Sequence, residues 1–371
     1  MKIALVHDWL TGWRGGEKVL AAIAEIFPEA DIWTLVYESR NIPPFLQQRI
    51  IKTSWLQKMP AAKTKYRYYL PLLPLFAELL NLDNYDLIIS SNHCVAKNVR
   101  SSAATLHISY THTPMRYIWD LFDHYFGSQS SYSWPVRTAA RILRPFLRFW
   151  DAHTSQRVDH FVVNSNFVGQ RVRRYYGRDY QVIYPPVEVE KFRPPARVKK
   201  EDYYILISAL VPYKRIDLAL EAFAVNGRRL LIVGQGPEEE RLRALAPPNV
   251  VFTGYLPQEE MISLLQRARA LIYPQIEDFG ITAVEAQAAG TPVLAYRDGG
   301  ALETVREKES GLFFFPQTAT ALNQSLVEME KRDWSPLSCI ENAQRFSRGR
   351  FKREFAAFVQ EKLIQFQSLL R

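Results

Sequence analysis

The sequence has 371 residues, 47% hydrophobic and 23% charged, which is the profile of an ordinary globular protein and predicts roughly two domains. Cys94 and Cys339 are too few for a disulfide framework, and we expect both to be small buried apolar groups. The formal charge of +9 lies almost wholly in residues 1–186, which hold 22 Lys and Arg against 14 Asp and Glu. This excess indicates an anionic partner: nucleic acid, a membrane surface or a phosphorylated substrate.

We expect no secretory signal in the first residues, because the opening apolar run is broken by His7 and Asp8 and is typical of a buried strand. The most apolar stretch, residues 70–82, contains two prolines and a glutamate. It falls short of the ~20 residues that a membrane span needs. We therefore expect a soluble, cytoplasmic protein.

Continuous apolar runs, separated by amphipathic helical stretches, predict strands that are buried on both faces. This alternation of strand and helix indicates an α/β protein with parallel sheets. Open sheets of this kind bind ligands at the carboxyl ends of their strands, and several of these runs end in polar residues or glycine. The predicted strands are residues 2–8, 85–91, 106–112, 160–165, 203–209, 229–234, 249–254, 270–275 and 291–296. The polar or glycine ends are His7-Asp8, Ser90-Ser91, His112, Asn164-Ser165, Gly234 and Gly254.

The domain boundary is predicted in the proline-rich, charged segment 184–202. We expect an N-terminal domain over residues 1–186 and a C-terminal domain over residues 187–345. The last stretch, 346–371, is predicted to be a helix that packs back on the N-terminal domain. Segment 41–84, rich in Pro, Tyr and Leu, fits no single pattern.

The strongest local signal is the sequence EDFGITAVE, from Glu277 to Glu285, between a predicted strand and a predicted helix. Gly280 permits a tight turn at the helix start, where backbone N–H groups and the helix dipole favour a phosphate. Glu277 before the helix and Glu285 inside it could then hold hydroxyl groups on either side of a bound diphosphate. Glu285 lies among small apolar residues, where a carboxylate without a partner is costly.

Three weaker signals fit the same chemistry. Lys214 and Arg215 lie between a strand and a helix, where cations can neutralise a leaving diphosphate without a metal, although such a pair is usually a solvated charge. Gly15 and Gly16, between the first strand and the first helix, permit close backbone approach to a phosphate. His112 ends a strand on the side of the expected ligand cleft, where a histidine is otherwise a satisfied structural residue.

The remaining His, Cys and acidic residues show no zinc-ligand spacing, and there is no Asp-x-Asp motif. A Gly-x-Ser-x-Gly nucleophile elbow is also missing from the sequence. We therefore expect no cofactor and no metal.

Taken in this order, the four stretches resemble glycosyltransferase family 4 over nearly the whole chain. The family has the GT-B fold, an α/β architecture of two Rossmann-like parallel-sheet domains that face each other across a cleft. The resemblance implies that Glu277 contacts the donor hexose, Glu285 the ribose and Lys214 the diphosphate. It also implies donor contacts from Gly15, Gly16, Phe279, Gly280 and Ile281 at the diphosphate, and from Gly234, Gly254 and Tyr255 near the nucleoside.

The resemblance further implies a retaining transfer in which His112 lies beside the anomeric centre. His112, Lys214 and Glu277 are then the candidate catalytic residues, and developing charge on the leaving diphosphate is stabilised electrostatically. The candidates on the acceptor side are Arg116, Asn164 and Ser165.

One segment departs from the family pattern Gly-Arg-Leu-x-x-x-Lys-Gly. Here Ala209 replaces the arginine and Arg215 replaces the second glycine, and our hypothesis is that Arg215 compensates from a different direction. Residues 110–120, with the lysine and glutamate segments, are most similar to bacterial mannosyltransferases of surface-polysaccharide and O-antigen assembly. That implies GDP-mannose as donor and a glycan or lipid-diphosphate-linked glycan as acceptor.

Four arginines in the N-terminal half, spaced four, three and four residues apart, would form one stripe on a helix. We predict that this stripe meets anionic lipid or a lipid-linked acceptor and holds the protein at the inner face of the cell membrane; a solvated face is the alternative. The four residues are Arg137, Arg141, Arg144 and Arg148.

The sequence is also compatible with other functions. A transferase that uses a UDP-sugar, or a nucleotide-sugar epimerase, could be built on the same fold. The basic first half alone would also fit a non-enzymatic nucleic-acid-binding protein, because aromatic residues accompany the arginines of residues 137–150. The almost balanced charge of the second half and the site glycines do not favour that alternative.

Overall fold

The computed structural model describes residues 1–49, 51–127, 132–195 and 198–369. They group into two compact units, one formed by Met1–Pro186 with Phe351–Arg371 and the other by Val187–Arg350. Each unit is built on one parallel β-sheet. The predicted fold class, α/β with two parallel-sheet domains, is confirmed.

The first unit alternates strands and helices along most of its length. In chain order it contains β1 (Ile3–His7), α1 (Gly15–Ile26), β2 (Asp31–Thr34), α2 (Pro44–Gln47), β3 (Ile51–Thr53), α3 (Ala62–Lys65), α4 (Leu73–Glu78), β4 (Leu87–Asn92), β5 (Leu106–Thr111), α5 (Phe122–Phe126), α6 (Trp134–Thr154), β6 (His160–Val163), α7 (Asn166–Tyr176) and β7 (Tyr180–Val182). The strands form a seven-stranded sheet in the order β3-β2-β1-β4-β5-β6-β7.

The second unit follows the same pattern. It contains α8 (Val189–Phe192), β8 (Tyr204–Ile207), α9 (Ile216–Asn226), β9 (Leu230–Val233), α10 (Glu239–Leu245), β10 (Val250–Gly254), α11 (Gln258–Arg267), β11 (Leu271–Tyr273), α12 (Ile281–Ala288), β12 (Val293–Tyr296), α13 (Ala301–Thr304), β13 (Gly311–Phe314), α14 (Ala319–Glu330), α15 (Pro336–Gln344) and the start of α16 (Arg348–Leu369). Its six-stranded sheet has the order β10-β9-β8-β11-β12-β13.

All nine predicted strands are present, but among the described residues four further strands were missed: β2, β3, β7 and β13. Three of them, β3, β7 and β13, lie at sheet edges, and β2 lies beside an edge. β2, β3 and β7 are only partly buried, and polar residues interrupt or flank their apolar residues. β13 is mostly buried and was missed although its residues form an apolar run.

The central strands of the first unit are covered on both faces, as their continuous apolar runs predict. Leu5 of β1 and Ile89 of β4 belong to a buried cluster that includes residues of α1. The neighbouring residues Val6 and Ile88 point to the opposite face and belong to a second cluster. Side chains alternate between the two faces along a strand, and this alternation also determines on which face the polar residues at the strand ends lie.

Segment 41–84, which fitted no pattern, consists mainly of short helices that cover the second of these faces. Besides α2, α3 and α4, it contains 3₁₀ turns at Trp55–Lys58 and Tyr66–Leu72. Leu56, Leu73 and Ala77 bury their side chains in the same cluster as Val6. Short turns of this kind lack the periodicity that identifies a long helix from sequence.

Helix α16 packs on the sheet of the first unit. Phe351, Phe355 and Val359 are buried in the cluster that contains Leu5. The ring of Phe351 lies edge-on to that of Tyr110 of β5, with centroids 5.7 Å apart. Both cysteines, Cys94 and Cys339, are buried and unpaired, as predicted.

Helix α6 continues through Pro145, and most of its arginine stripe binds the protein itself. The Nε groups of Arg144 and Arg148 donate to the carbonyl oxygen of Ile118, at 3.0 and 2.8 Å. Their guanidinium groups lie over the rings of Phe122 and Trp119, and Arg137 donates to the carbonyl oxygen of Gly127. The stripe is therefore not a free face. No helix in the described ranges is long and apolar enough to cross a membrane.

Candidate functional site

Helix α12 is preceded by Gly280, a position where any other residue would be strained. Gly280 has φ +93°, in the left-handed region, and a Cβ there would lie 3.0 Å from the hydroxyl of Tyr273. The first backbone N–H groups of a helix have no partner within the helix. This turn therefore presents donors and the positive end of the helix dipole directly after β11.

Lys214 and Glu277, from different loops of the second unit, form an ion pair. Lys214 ends a 3₁₀ turn, Pro212–Lys214, that follows β8, and Glu277 lies between β11 and α12. Both side chains are mostly buried, at 13% and 20% exposed. The structure thus brings together two of the three predicted catalytic residues beside the N-terminus of α12.

Two glycines that the sequence analysis did not single out hold the loop of Glu277 in place. A Cβ on Gly299 would lie 2.6 Å from the carbonyl oxygen of Glu277, and one on Gly300 would lie 2.4 Å from Cα of Phe279. The N–H of Gly300 donates to the same Glu277 carbonyl at 2.8 Å. The signal in the sequence was the Asp-Gly-Gly turn after the strand of residues 291–296.

The remaining residues of this motif differ in what they present. The side chain of Phe279 is buried against Phe346, with ring centroids 5.4 Å apart, so only its backbone can serve a ligand. Ile281 and Glu285 lie on α12 and are half-buried. Roles for these residues in binding a diphosphate or a ribose stay predictions.

Arg215 occupies the left-handed conformation, φ +54°, at the position where the family pattern has glycine. Its Nη1 donates to the side-chain oxygen of Gln317 at 2.9 Å, and its Nε lies 3.4 Å from Asp217. Gln317 in turn donates to the carbonyl oxygen of Pro274 at 2.8 Å. Arg215 is thus linked to the segment before Glu277; whether it compensates for Ala209 stays a prediction.

The loops after β8, β9 and β10 pack backbone against backbone. Gly234 has φ +137°, a Cβ there would lie 1.9 Å from the Ser208 carbonyl oxygen, and its N–H donates to the Gly254 carbonyl at 2.9 Å. Gly236, which was not predicted from the sequence, is also closely packed, since a Cβ there would lie 2.3 Å from the Leu210 carbonyl oxygen. Tyr255 follows these loops and is 75% exposed. Contacts of these residues with a nucleoside stay predictions.

In the first unit, polar side chains from three adjacent strands meet near the start of α1, which begins at Gly15. Ser91 Oγ lies 2.9 Å from His112 Nε2 and 3.1 Å from His7 Nδ1. A Cβ on Gly16 would lie 3.5 Å from the ring of His7 and 3.7 Å from His112 Nε2. The structure therefore brings Gly15, Gly16 and His112 together, and adds His7 and Ser91, which were noted only as polar strand ends.

Asp8 anchors the loop beside this cluster. Its buried carboxylate accepts four backbone N–H groups, from His93 to Ala96, at 2.6 to 3.1 Å, and lies 3.0 Å from His93 Nδ1. Burial alone would raise the pKa of Asp8, but His93 and the backbone donors outweigh it and hold the pKa well below its ordinary value. Sequence reasoning could not find this contact, because it joins residues more than 80 positions apart.

The acceptor-side candidates lie at the ends of neighbouring elements. Asn164 donates to the backbone carbonyl of His112 at 2.9 Å. Ser165 is buried and caps α7 by accepting the Val168 N–H at 3.1 Å. Arg116 lies in the turn after β5 and is half-buried. Asn164 thus fixes the backbone of His112, and acceptor contacts through these three residues stay predictions.

No group of three or more His, Cys, Asp and Glu side chains that could hold a metal occurs within the described ranges. The expectation that the reaction needs no metal is not tested by this finding and stays a prediction.

Two family models match adjacent parts of the chain. One, described as Glycosyltransferase Family 4, matches residues 13–191, and the other, described as Glycosyl transferases group 1, matches residues 188–346.

Among curated proteins, the D-inositol 3-phosphate glycosyltransferase of Acidothermus cellulolyticus is 34% identical over 187 residues, 42% of each chain. A GDP-mannose-dependent alpha-(1-6)-phosphatidylinositol monomannoside mannosyltransferase of Mycobacterium tuberculosis is 30% identical over 195 residues, 44% of this chain and 51% of the relative. The chain thus spans about half the length of the curated relatives it matches.

Among solved structures, Anabaena Alr3699/HepE in complex with UDP matches with a TM-score of 0.70 at 17% identity, covering 97% of this chain and 100% of that one. At this identity the likeness shows the fold alone.

Replacing Gly300 by alanine should destabilise the second unit, because the added Cβ would overlap the backbone of Phe279. Overpacking of this kind costs about 1–3 kcal/mol, which corresponds to a fall of at least about 3 °C in melting temperature. Gly12→Ala is the control, since the nearest atom to its Cβ is 3.9 Å away. Differential scanning calorimetry measures both, and equal melting of Gly300→Ala and wild type would contradict the packing described.

Proposed function

Because the chain belongs to glycosyltransferase family 4, we propose that it transfers a hexose from a nucleoside-diphosphate sugar to a glycan or lipid-linked glycan. The observation that carries the proposal is the Lys214–Glu277 ion pair beside the N-terminus of α12. A cation, a row of backbone donors and a carboxylate are the groups needed to hold a diphosphate joined to a sugar.

In the proposed reaction, the diphosphate lies against the N–H groups that follow Gly280 and against the ammonium group of Lys214. Negative charge grows on the leaving phosphate as the bond to the sugar breaks, and fixed donors stabilise that charge without reorganising. Glu277 holds the ammonium group in place and accepts hydrogen bonds from the hexose hydroxyls. His112 contacts the transferred sugar, whose anomeric configuration is retained, and the protein needs no metal.

GDP-mannose is the donor we propose. Support comes from the GDP-mannose dependence stated in the name of the mycobacterial relative. A UDP-sugar is the alternative, because the structural neighbour from Anabaena was crystallised with UDP. An epimerase on the same fold would act on the nucleotide sugar without an acceptor. A nucleic-acid-binding protein would bind neither GDP-mannose nor a UDP-sugar as a substrate.

A thermal-unfolding screen separates the two donor classes from each other and from a nucleic-acid-binding protein. We expect GDP at 100 times its Kd to stabilise the protein by about 2.7 kcal/mol, since it binds only the folded state. UDP should have a smaller effect, and single-stranded DNA or RNA none. Stabilisation by UDP alone would identify the other donor class, and stabilisation by oligonucleotides alone would contradict the proposal of a transferase.

Removing either member of the ion pair should impair catalysis. We expect Lys214→Ala and Glu277→Ala each to lower kcat for GDP-mannose turnover by about 10²–10³-fold, the cost of losing one group that stabilises the transition state. The measurement is release of GDP with and without acceptor.

A surface ion pair of the same unit provides the control. Lys331 and Glu328 lie 2.6 Å apart and are about 60% exposed, so Lys331→Ala and Glu328→Ala should keep wild-type activity. Full activity of Lys214→Ala or Glu277→Ala would remove that residue from its proposed role.

The proposed lipid contact is made by the apolar face of α6 rather than by the whole arginine stripe. Trp134, Ile142, Phe146 and Phe149 are 61–72% exposed, and their spacing of eight, four and three residues places them on one side of the helix. Arg141 is exposed beside them. Exposed aromatic and aliphatic side chains flanked by a cation suit the interface of an anionic bilayer, at the cytoplasmic face in this proposal.

The double variant Phe146→Ser/Phe149→Ser should bind anionic vesicles at least about tenfold more weakly than wild type, since each lost Phe removes about 1.5–3 kcal/mol of burial. Co-sedimentation with vesicles of phosphatidylglycerol and phosphatidylcholine measures this. Val225→Ser/Leu337→Ser, which changes two exposed apolar residues of the second unit, is the matched control. Unchanged binding of the α6 variant, or no binding of the wild type, would contradict the proposal.

A further inference from the structure

Three polar side chains form a hydrogen-bonded chain at the carboxyl ends of β1, β4 and β5. His7 and Ser91 are completely buried, and His112 is half-buried. Nδ1 of His7 lies 3.0 Å from the carbonyl oxygen of Ser91 and 3.1 Å from its hydroxyl. The same hydroxyl lies 2.9 Å from Nε2 of His112. The proposed function uses only His112 of these three.

The contact with a carbonyl oxygen decides the protonation of His7. A carbonyl only accepts, so Nδ1 of His7 must carry a hydrogen. Burial lowers the pKa of His7 below its ordinary value, so the ring is neutral near pH 7 and Nε2 carries none. Within the described structure, Nε2 of His7 has no hydrogen-bond partner. Within the described structure, the hydrogen bonds of the His7 ring are therefore made by Nδ1.

The direction of the next hydrogen bond follows. Nδ1–H of His7 points at both oxygens of Ser91, so the Ser91 hydroxyl is an acceptor towards His7. Its own hydrogen then needs another acceptor, because an unused buried O–H is costly. Nε2 of His112 is at hydrogen-bond distance and has a lone pair when the neutral ring carries its hydrogen on Nδ1.

We infer that His7 and Ser91 are positioning residues, which together place the ring hydrogen of His112 on Nδ1. A neutral histidine in water favours the opposite tautomer, with hydrogen on Nε2. The hydrogen-bonded chain from His7 through Ser91 to His112, which we call the relay, therefore selects the less common form. The consequence for catalysis rests on the proposed function: the tautomer decides which ring nitrogen His112 can offer as a donor to an oxygen of the transferred sugar.

The opposite face of the same sheet offers a matched control. Ser90 and His107 lie on β4 and β5 beside the relay, and their Oγ and Nε2 atoms are also 2.9 Å apart. Both residues are completely buried. Because neighbouring residues of a strand point to opposite faces, this pair has the same chemistry without access to His112.

The test is nitrogen-15 NMR of the histidine side chains, without donor or acceptor, in wild type, Ser91→Ala and Ser90→Ala. We expect wild-type His112 to carry its hydrogen on Nδ1, Ser91→Ala to move most of the population to Nε2, and Ser90→Ala to leave His112 unchanged. His7→Asn should keep the wild-type tautomer, because an asparagine amide can present an N–H at the position of Nδ1.

Turnover links the tautomer to function. Ser91→Ala should lower kcat at least about tenfold while Ser90→Ala, with a similar loss of stability, should not, since a wrong tautomer impairs catalysis beyond any effect on folding. Nε2–H in wild-type His112, an unchanged tautomer in Ser91→Ala, or full turnover with the tautomer moved would overturn the inference. If neither GDP-mannose nor a UDP-sugar is a substrate, the transferase proposal fails, while the NMR result still decides the tautomer of His112.

Discussion

The candidate site depends on backbone packed directly against backbone. Gly299 and Gly300 leave no room for side chains against the segment 277–279, and Gly300 donates a hydrogen bond to the Glu277 carbonyl. That contact holds the segment between the strand β11 and the helix α12. Since an ion pair this buried is stable only with fixed geometry, the position of Glu277 also determines that of Lys214. A short, glycine-supported turn thus supplies the carboxylate and the helix N-terminus, and the 3₁₀ turn after β8 adds the cation.

In the first unit, the polar cluster is stabilised differently, because its buried polar groups have hydrogen-bond partners. The carboxylate of Asp8 has four backbone donors and an imidazole as partners, so a charge that would be costly in isolation becomes a fixed anchor. The loop that it holds, from His93 to Ala96, follows β4 directly. Beside it, the hydroxyl of Ser91 connects two histidines of neighbouring strands. In both units rigid sheet ends, rather than long flexible loops, present the functional side chains.

Much of the fold could be predicted from the sequence because central parallel strands are buried on both faces and read as unbroken apolar runs. The motif from Glu277 to Glu285 was equally visible, since Gly280 and the flanking strand and helix lie within a few residues of each other. What the sequence could not indicate are contacts between distant segments. Gly300 against Phe279, Asp8 against residues 93–96 and Ser91 between two histidines all depend on which strands become neighbours. The same limit applies to the arginines of α6: their spacing places them on one stripe, but the sequence could not indicate the loop of Ile118 that Arg144 and Arg148 bind.

The central claim is that a diphosphate is held by the N-terminus of α12 and by Lys214 without a divalent ion. A crystal structure of the protein with GDP, grown in the presence of magnesium, tests it most directly. We predict phosphate oxygens within hydrogen-bond distance of the N–H groups after Gly280 and of Lys214 Nζ, with no metal bound to them. A diphosphate located elsewhere, or coordinated by magnesium, would contradict the account.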